Sequence, residues 1–403
     1  MNGRERVLAA LRHQEPDRVP IDLGGTDATG IVGLAYGNLR EHLGLPRGKP
    51  RIFVPTLGLA LVEPDVWLRL NSGDARAVFF APQRWREDVM RDGHPCLVPE
   101  RWQPTRLPDG SDVVYNDAGQ VTLRRPPGGL YYDTVHTPLA DVETVADLDR
   151  HAASFERFDW PAYADQPLEA MAAHAKALRD RGDVVVVGSF VGHIFAGAQT
   201  LRGFEQFMAD LLIDPALAEA ILDRLTEAHI ARFARYAETV GPYLDVVQLS
   251  DDLGAQGGPQ ISPDLYRRMV KPYHSQLFRF IKEETGAYVF LHSCGSVYAL
   301  IPDLIEAGVD ILNPVQVSAR DMDTARLKRE FGRDLAFWGG GCDTQRVLPH
   351  GTPAQVRDEV RRRLDDLAPG GGFVFAQVHN IQADVPPENI VAMAEAVRAF
   401  GAY

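Results

Sequence analysis

The chain has 403 residues, with 55 acidic and 42 basic side chains and a formal net charge of −13. This excess of negative charge argues against nucleic acids and anionic membrane surfaces as partners, because their phosphates would be repelled. Hydrophobic residues make up 45% of the sequence and charged residues 24%, which are ordinary values for a globular protein. The length allows one large domain or two ordinary ones.

The N-terminal segment and the cysteines both indicate a cytoplasmic protein. The first 20 residues contain no apolar run long enough for a signal peptide, and no later segment reaches membrane-spanning length. Three cysteines are an odd number in a chain without a secretion signal, which argues against disulfides. We therefore expect the thiols to matter only where they are placed as ligands.

Short apolar runs alternate along the chain with amphipathic helical segments, as in parallel βαβ units. A helix is predicted over residues 3–13. Eight strands are predicted after it: Val19–Leu23, Ala75–Phe80, Val184–Phe190, Leu244–Leu249, Ala287–Leu291, Val309–Leu312, Leu335–Trp338 and Gly372–Ala376. The helices predicted between them include Pro215–Glu238, Pro263–Thr285, Tyr298–Ala307, Ala325–Phe331 and Pro353–Leu367.

Eight such strands favour a (β/α)8 barrel over the alternative, a doubly wound open sheet with a lid. No GxGxxG motif follows the first strand and no Walker-type loop occurs, so the motifs of nucleotide-binding folds are missing. Residues 82–140 differ from the rest, with many aromatic residues, prolines and turn signals. We interpret them as a small antiparallel insertion after the second strand, either a flap near the barrel mouth or a surface ribbon, within a single domain over residues 1–403.

Reactive side chains follow several predicted strands directly, at the end where (β/α)8 barrels hold their active sites. These residues are His292 and Cys294, Cys342, Asp251 and Asp252, and His379 and Asn380. One imidazole and two thiolates, from His292, Cys294 and Cys342, suit zinc and would leave a fourth position open, as in catalytic zinc sites. The alternative is that the cysteines are buried apolar residues. Cys96, in the insertion, is expected to be inert.

The remaining polar residues at the strand ends are candidates for catalysis and substrate binding. Adjacent side chains on an extended chain point in opposite directions, so only one of Asp251 and Asp252 can face the barrel mouth. We expect Asp252 to face it and to act in catalysis together with His379. His193, Asp251 and Asn380 are candidates for substrate binding, with helix capping or a structural histidine as the alternatives.

Nearly the whole chain resembles the uroporphyrinogen decarboxylase superfamily, and especially its methyltransferase branch. The resemblance lies in the segments RERVLAALRHQEPDRVPIDLGG, LRGFEQFMADLLIDPALAEAILD, VVQLSDDLGAQGGPQISPDLYRRMVKPYH, VFLHSCGSVYALIPDLIEAGVDILNPV, FWGGGCDTQ and VHNIQADVPPENI. It implies a (β/α)8 barrel with a deep cleft at the carboxyl ends of the strands.

The sequence differs from the pattern of this superfamily at two places. True porphyrinogen decarboxylases have an arginine-rich segment after the first strand that holds the carboxylates of the substrate, whereas residues 24–30 here contain no arginine. The methyltransferase branch implies that His292, Cys294 and Cys342 are zinc ligands. Gln316 falls where related enzymes place an acidic ligand, so it is either a weak fourth ligand or a substrate contact.

The resemblance implies a zinc-dependent methyltransferase. The methyl group would move between a small methylated substrate (a methoxy compound, a methylamine or a thiol) and a corrinoid protein, a folate or a thiol. No DxHxxG motif occurs, so cobalamin would be carried on a separate corrinoid protein. The alternatives are a metal-free lyase in which Asp252 and His379 handle protons, and a non-catalytic zinc-binding or redox-sensing protein. The sequence does not determine the oligomeric state, and a homodimer is one of the states that it allows.

Overall fold

The computed structural model describes residues 1–158 and 163–403. Seven parallel strands form one curled sheet in chain order, β1 to β7, each paired with the next. The strands are Ala75–Val78 (β1), Val185–Val191 (β2), Val246–Ser250 (β3), Tyr288–His292 (β4), Ile311–Asn313 (β5), Ala336–Trp338 (β6) and Phe373–Val374 (β7). The structure therefore confirms the predicted barrel-like α/β fold and seven of the eight predicted strands, whose ends differ from the prediction by at most two residues.

Residues 19–23, predicted as the first strand, connect the two edges of this sheet. On one side the Phe375 N–H donates to the Pro20 carbonyl (2.8 Å), and on the other the Asp74 N–H donates to the Ile21 carbonyl (2.9 Å). Only an isolated bridge from Ile21 to Phe375 is formed there. Proline has no N–H to donate to a ladder, so Pro20 interrupts the pairing. The segment nevertheless closes the gap between β7 and β1.

The barrel has an apolar lower interior and a polar upper one. Alternate positions of the strands fill the lower part together with one side of the helix Gly3–Leu11, which covers the amino-terminal ends of the strands. This interior cluster includes Val7, Leu11, Ala75, Val185, Val187, Val246, Phe290, Ile311, Trp338 and Val374. The next inward positions towards the carboxyl ends are Ser189, Gln248, His292 and Asn313. By register, Ser189 and Gln248 lie level with Phe290, whereas His292 and Asn313 lie one step nearer the carboxyl ends, where a barrel places its chemistry.

Helices surround the sheet and connect its strands. Their bounds are Gly3–Leu11, Gly33–His42, Pro64–Leu70, Ala152–Glu156, Leu168–Arg181, Phe195–Arg202, Phe204–Ile213, Pro215–Thr239, Pro263–Met269, Lys271–Thr285, Ile301–Ala307, Thr324–Phe331, Val347–His350, Pro353–Leu367 and Pro387–Phe400. None of the described helices is long and apolar enough to cross a membrane.

One predicted helix, Pro263–Thr285, is two helices in the structure, Pro263–Met269 and Lys271–Thr285. The break falls at Val270, two residues before Pro272. A proline inside a helix removes one hydrogen bond, and its ring clashes with the carbonyl four residues earlier. Pro272 is instead accommodated in the first turn of the second helix, where its missing N–H costs nothing.

The predicted insertion is antiparallel, as expected. A hairpin joins Trp85–Val89 to Pro95–Pro99, and a separate sheet contains Thr105–Arg106, Asp112–Tyr115, Val121–Arg125 and Asp133–Thr134. Two short antiparallel pairings were not predicted from the sequence. One joins the strands Ile31–Val32, Ile52–Val54 and Leu59–Ala60, and the other joins Gly254–Ala255 to Gly258–Pro259.

Candidate metal centre

His292, the last residue of β4, points into the polar upper layer of the barrel and is held from behind by Asn313. Its ring nitrogen Nδ1 is hydrogen-bonded to Asn313 Oδ1, and the Asn313 amide donates to the Trp338 carbonyl (2.6 Å). The other ring nitrogen, Nε2, lies 3.4 Å from the sulfur of Cys294. A histidine that ligates a metal is usually oriented in this way through its second nitrogen.

Close backbone packing fixes the loop that carries Cys294. Gly295 has φ +87°, and a Cβ built there would lie 2.5 Å from the Gly254 carbonyl carbon. A Cβ on Gly254 would similarly lie 2.5 Å from the Cys294 carbonyl oxygen. Only glycine at both positions lets the loops after β3 and β4 touch through their backbones. The position of Cys294 therefore depends on two glycines of adjacent loops.

Two polar side chains hold the backbone of the same loop. Asp252 Oδ1 accepts the Cys294 N–H (2.8 Å), and Gln316 Oε1 accepts the Gly295 N–H (2.7 Å). Asp252 is exposed, whereas Gln316 is 8% exposed. Both residues therefore lie beside Cys294, and each uses one oxygen to hold the loop in place.

His379, beyond β7, completes a compact group with His292 and Cys294. The potential ligand atoms of the three residues all lie within 4.8 Å of one another. The rings of His292 and His379 are 5.7 Å apart between centroids. His292 is almost completely buried, while Cys294 and His379 are half-buried. Among the described residues this is the one cluster of at least three histidine, cysteine or acidic side chains that could hold a metal ion.

The surroundings of His292 and Cys294 favour an imidazolium beside a thiolate. Burial opposes the charge of each residue, but their mutual attraction is the stronger effect. It raises the pKa of His292 to about 10 and lowers the pKa of Cys294 to about 7. A hydrogen bond with His379 also lowers the pKa of the thiol. The thiolate form needed for metal binding is therefore accessible near neutral pH.

Cys342 is not a member of this group. It is 0% exposed and packs in the main hydrophobic core, and burial raises the pKa of its thiol far above the ordinary range. The charged groups that act on it are Asp343 and Arg363, not His292. The glycine before it, Gly341, makes room for the ring of Phe375 rather than for a ligand, since a Cβ there would lie 2.2 Å from that ring.

Asp251 has a structural environment. It is 1% exposed and accepts the backbone N–H groups of residues 194, 195 and 196 at the start of the helix Phe195–Arg202. It also bonds to His274 Nε2 (2.8 Å). Burial opposes its negative charge, but these hydrogen bonds and the histidine keep the pKa of Asp251 below its ordinary value. All its acceptor capacity is directed into the protein rather than into the cleft.

His193 and Asn380, both predicted to bind substrate, form hydrogen bonds within the protein. The His193 carbonyl accepts a hydrogen bond from the ring of His229 (2.7 Å), and the His193 ring is half-buried beside Phe158. Asn380 Oδ1 accepts the Gly30 N–H (2.6 Å) and is 3% exposed. Asn380 thereby joins the end of β7 to the loop after the first predicted strand.

Tyr131 of the insertion lies near the candidate metal centre. Burial raises the pKa of Tyr131, and the negative charges of Cys294 and Asp384 raise it further. The tyrosine hydroxyl therefore lies close enough to Cys294 to experience its charge. This proximity is compatible with the interpretation of the insertion as a flap near the barrel mouth, which stays a prediction.

Sequence reasoning missed Asn313 and Tyr131. Asn313 ends β5, so the rule that identified His292, a polar residue at the carboxyl end of a strand, would also have identified it. No comparable signal exists for Tyr131, because the contact of an inserted loop with the barrel depends on long-range packing.

Comparisons with known proteins agree with this architecture. The model of the family described as uroporphyrinogen decarboxylase (URO-D) matches residues 136–400, more than half of the chain. The uroporphyrinogen decarboxylase of Thermus thermophilus is 26% identical over 276 residues, covering 66% of this chain and 72% of the relative. The methylcobamide:CoM methyltransferase of Methanosarcina barkeri is 29% identical over 214 residues, covering 53% of this chain and 58% of the relative.

The similarity extends to a solved structure. A methyltransferase from Methanosarcina mazei superposes with a TM-score of 0.59 and 19% identity, covering 99% of both chains, which supports the fold. The relatives thus include decarboxylases and methyltransferases, and the resemblance predicted from sequence segments is confirmed. Since the matched residues extend from before β2 to the last helix, the chain belongs to the uroporphyrinogen decarboxylase family.

Proposed function

We propose that this protein is a zinc-dependent methyltransferase. The methyl group moves between a small methylated substrate (a methoxy compound, a methylamine or a thiol) and a corrinoid protein, a folate or a thiol acceptor. The observation that carries the proposal is the convergence of His292, Cys294 and His379, with ligand atoms within 4.8 Å of one another at the carboxyl ends of the strands. The similarity to a methylcobamide:CoM methyltransferase supports a corrinoid as the methyl donor or acceptor.

The donor set fits zinc. Two imidazole nitrogens and one thiolate are the ligand types that zinc prefers, and three protein ligands leave a position for substrate. Asn313 fixes the ring of His292 so that Nε2 faces Cys294. In this proposal His379 replaces Cys342, which was expected as the third ligand from the sequence.

Zinc held by Cys294, His292 and His379 would keep a net positive charge, since one thiolate and two neutral imidazoles cancel only part of it, and would supply Lewis-acid activation of a thiol or a methoxy oxygen. The protein supplies the remaining functions. Asp252 is exposed beside Cys294, where its carboxylate can take up the proton that a thiol acceptor loses. Gln316 stabilises the Cys294 loop and faces the same region. Tyr131 limits the access of water from above.

The ligand set is tested by alanine substitution of each of the three cysteines and of His379. We expect about one zinc per chain in the wild type, because three convergent ligands should retain it through purification. Cys294→Ala and His379→Ala should lose the metal, whereas Cys342→Ala and Cys96→Ala should keep it. Elemental analysis measures occupancy, and circular dichroism verifies folding. Loss of zinc in Cys342→Ala together with full retention in His379→Ala would restore the ligand set expected from the sequence.

The reaction is tested with methylcobalamin as methyl donor and 2-mercaptoethanol as acceptor. The zinc-loaded wild type should demethylate the corrinoid, which is followed by absorbance, and Cys294→Ala should not. Transfer that is independent of zinc and of Cys294 would contradict the mechanism. Decarboxylation of uroporphyrinogen by the metal-free protein would instead support a decarboxylase, although residues 24–30 supply no arginine for its carboxylates.

A further inference from the structure

A second polar group lies deeper in the barrel than the candidate metal centre. Ser189 of β2 and Gln248 of β3 are paired in register. They follow Val187 and Val246, which point into the apolar interior, and side chains two residues apart on a strand share a face. Ser189 and Gln248 therefore form part of the floor of the cleft.

Asp27, from the loop after the first predicted strand, lies on this floor. Its Oδ2 accepts the Ser189 hydroxyl (3.0 Å), and its Oδ1 accepts the Gln248 amide. Asp27 is half-buried, and within residues 1–158 and 163–403 its carboxylate forms no ion pair with a lysine, arginine or histidine. The floor thus holds a carboxylate that is fixed by two neutral donors and has no ion-pair partner among the described residues.

Gln248 adds an independent observation. It is 5% exposed, and its carbonyl oxygen Oε1 has no hydrogen-bond partner in the described part of the chain. Because its amide nitrogen is bound to Asp27, this oxygen lies beside the carboxylate. Buried polar groups without a partner are rare in proteins and call for an explanation such as a ligand. The Asp27 carboxylate and Gln248 Oε1 can only accept hydrogen bonds. A ligand that satisfies both must therefore carry hydrogen-bond donors and a positive charge.

The strand register relates this floor to the candidate metal centre. Ser250, two residues beyond Gln248 on β3, is paired with His292. The layer of Gln248 therefore lies directly below the layer of His292, and two residues along a strand span about 7 Å. A molecule only a few bonds long can reach from the floor to the cluster of His292, Cys294 and His379.

We propose that Asp27, Ser189 and Gln248 form a cation-selective subsite that binds the ammonium head group of the small-molecule substrate while its reacting end lies at the metal centre. The identity of the reacting end rests on the proposed function. The positive charge of the head group rests only on the geometry of Asp27, Ser189 and Gln248. It assigns the substrate to the class of short aliphatic amines with a thiol or methylated end. It argues against acceptors with a carboxylate or sulfonate head group, which the charge of Asp27 would repel.

Three thiols that differ only in the head group test the subsite: 2-aminoethanethiol, 2-mercaptoethanol and 2-mercaptoethanesulfonate. Their affinities for the zinc-loaded wild type are measured by isothermal titration calorimetry. We expect 2-aminoethanethiol to bind at least about tenfold more tightly than the sulfonate, because the Asp27 carboxylate attracts an ammonium group and repels a sulfonate. Asp27→Asn should reduce this ratio to below about twofold, since the side chain keeps its shape and loses its charge.

Two further variants separate the effect of the Asp27 charge from other effects of substitution. Asp27→Glu retains the charge and should keep the preference, and Asp117→Asn, in an exposed turn of the insertion, should leave it unchanged. Circular dichroism establishes that each variant is folded. Equal affinity of the wild type for the three thiols, or an undiminished preference in folded Asp27→Asn, would overturn the subsite.

The same comparison with ethylammonium and ethanesulfonate on the metal-free protein separates this inference from the proposed function. A preference for ethylammonium that depends on Asp27 supports the subsite even if no methyl transfer is found. Efficient methyl transfer to 2-mercaptoethanesulfonate, with no transfer to 2-aminoethanethiol, would overturn the subsite and leave the methyltransferase proposal intact.

Discussion

At the scale of single residues, the candidate metal centre depends on how each ligand is oriented. Asn313 is completely buried and lies between two elements: its carbonyl oxygen contacts the His292 ring, and its amide donates to the Trp338 carbonyl. This arrangement fixes both the ring plane and the tautomer of His292, because Nδ1–H is the donor and Nε2 is left free for a metal.

We therefore expect Asn313→Ala to weaken zinc binding about 10- to 100-fold, the usual effect of removing the group that orients a ligand. Competition with a chromogenic chelator measures the affinity. Asn389→Ala is the matched control, because Asn389 is also a buried asparagine whose amide donates to backbone carbonyls, at residues 348 and 351. Equal zinc affinities of the two variants would show that Asn313 does not orient His292.

At the scale of secondary-structure elements, Asp251 connects three parts of the fold. It follows β3, caps the helix Phe195–Arg202 and bonds to His274 in the helix Lys271–Thr285, and His274 in turn contacts the Tyr266 hydroxyl (3.0 Å). A carboxylate that accepts several N–H groups inside the protein stabilises the elements that it joins.

We expect Asp251→Asn to lower the free energy of unfolding by about 3 kcal/mol, since an amide cannot replace a buried, paired carboxylate. Urea unfolding at neutral pH measures this value. Asp323→Asn, at the start of the helix Thr324–Phe331, is the control and should cost less than about 1 kcal/mol, because asparagine is an equally good N-cap. A loss of substrate binding without a loss of stability would favour the substrate role expected from the sequence.

The helix Gly3–Leu11 is fastened to the barrel by ion pairs of Arg6. Its guanidinium group bonds to both carboxylate oxygens of Asp17 (2.7 and 3.0 Å) and to Asp74 (2.9 Å). The hydrogen bonds from Arg6 hold the pKa of Asp17 well below its ordinary value, although burial opposes the shift. A carboxyl whose pKa is lower in the folded state contributes stability above its unfolded pKa and loses it as the pH falls.

Asp17→Asn should therefore lower the urea midpoint at pH 7 and make it less sensitive to acid. Between about pH 5 and pH 3 the midpoint of the wild type should fall more steeply than that of the variant, because the unfolded carboxyl takes up its proton in that range. Asp117→Asn is the exposed control and should follow the wild type. Parallel midpoint curves for Asp17→Asn and the wild type would contradict this role of Asp17.

At the scale of the whole molecule, the insertion of residues 82–140 brings Tyr131 near the candidate metal centre. Tyr131 is the residue of the insertion that experiences the charge of Cys294. Next to it, Tyr132 packs edge to face against Trp102 (5.0 Å between centroids), and the Tyr132 N–H donates to the Thr56 carbonyl (3.2 Å). Tyr131 is thus held in place by the packing of its neighbour.

Tyr131→Ala should open the centre to solvent and increase the rate at which excess chelator removes zinc. We expect an increase of several-fold, while the free energy of unfolding changes little because Tyr131 is half-buried. Tyr115→Ala, at an exposed position of the same insertion, is the control. An unchanged rate of zinc loss in Tyr131→Ala would mean that the insertion does not shield the centre.

Features that depend on local patterns could be predicted from the amino-acid sequence. Strand and helix periodicity predicted the barrel, proline and turn signals predicted the insertion, and the position of His292 and Cys294 after a strand predicted their place at the barrel mouth. Two local features were predicted wrongly: the strand pairing at Pro20 and the continuous helix across Pro272. Both differences follow from the effect of proline on backbone hydrogen bonding, which the sequence already shows.

The distant residue that lies beside His292 and Cys294 depends on the folding of the whole chain. Cys342 and His379 both follow strands, and chemistry alone favours the cysteine as a partner in a zinc site. The direction in which a side chain leaves a short strand end is set by packing, and Cys342 is fully buried in the main hydrophobic core. His379 instead reaches the cluster. The setting of the Asp27 carboxylate is likewise visible only after Ser189 and Gln248, 162 and 221 positions away in the sequence, have been brought beside it.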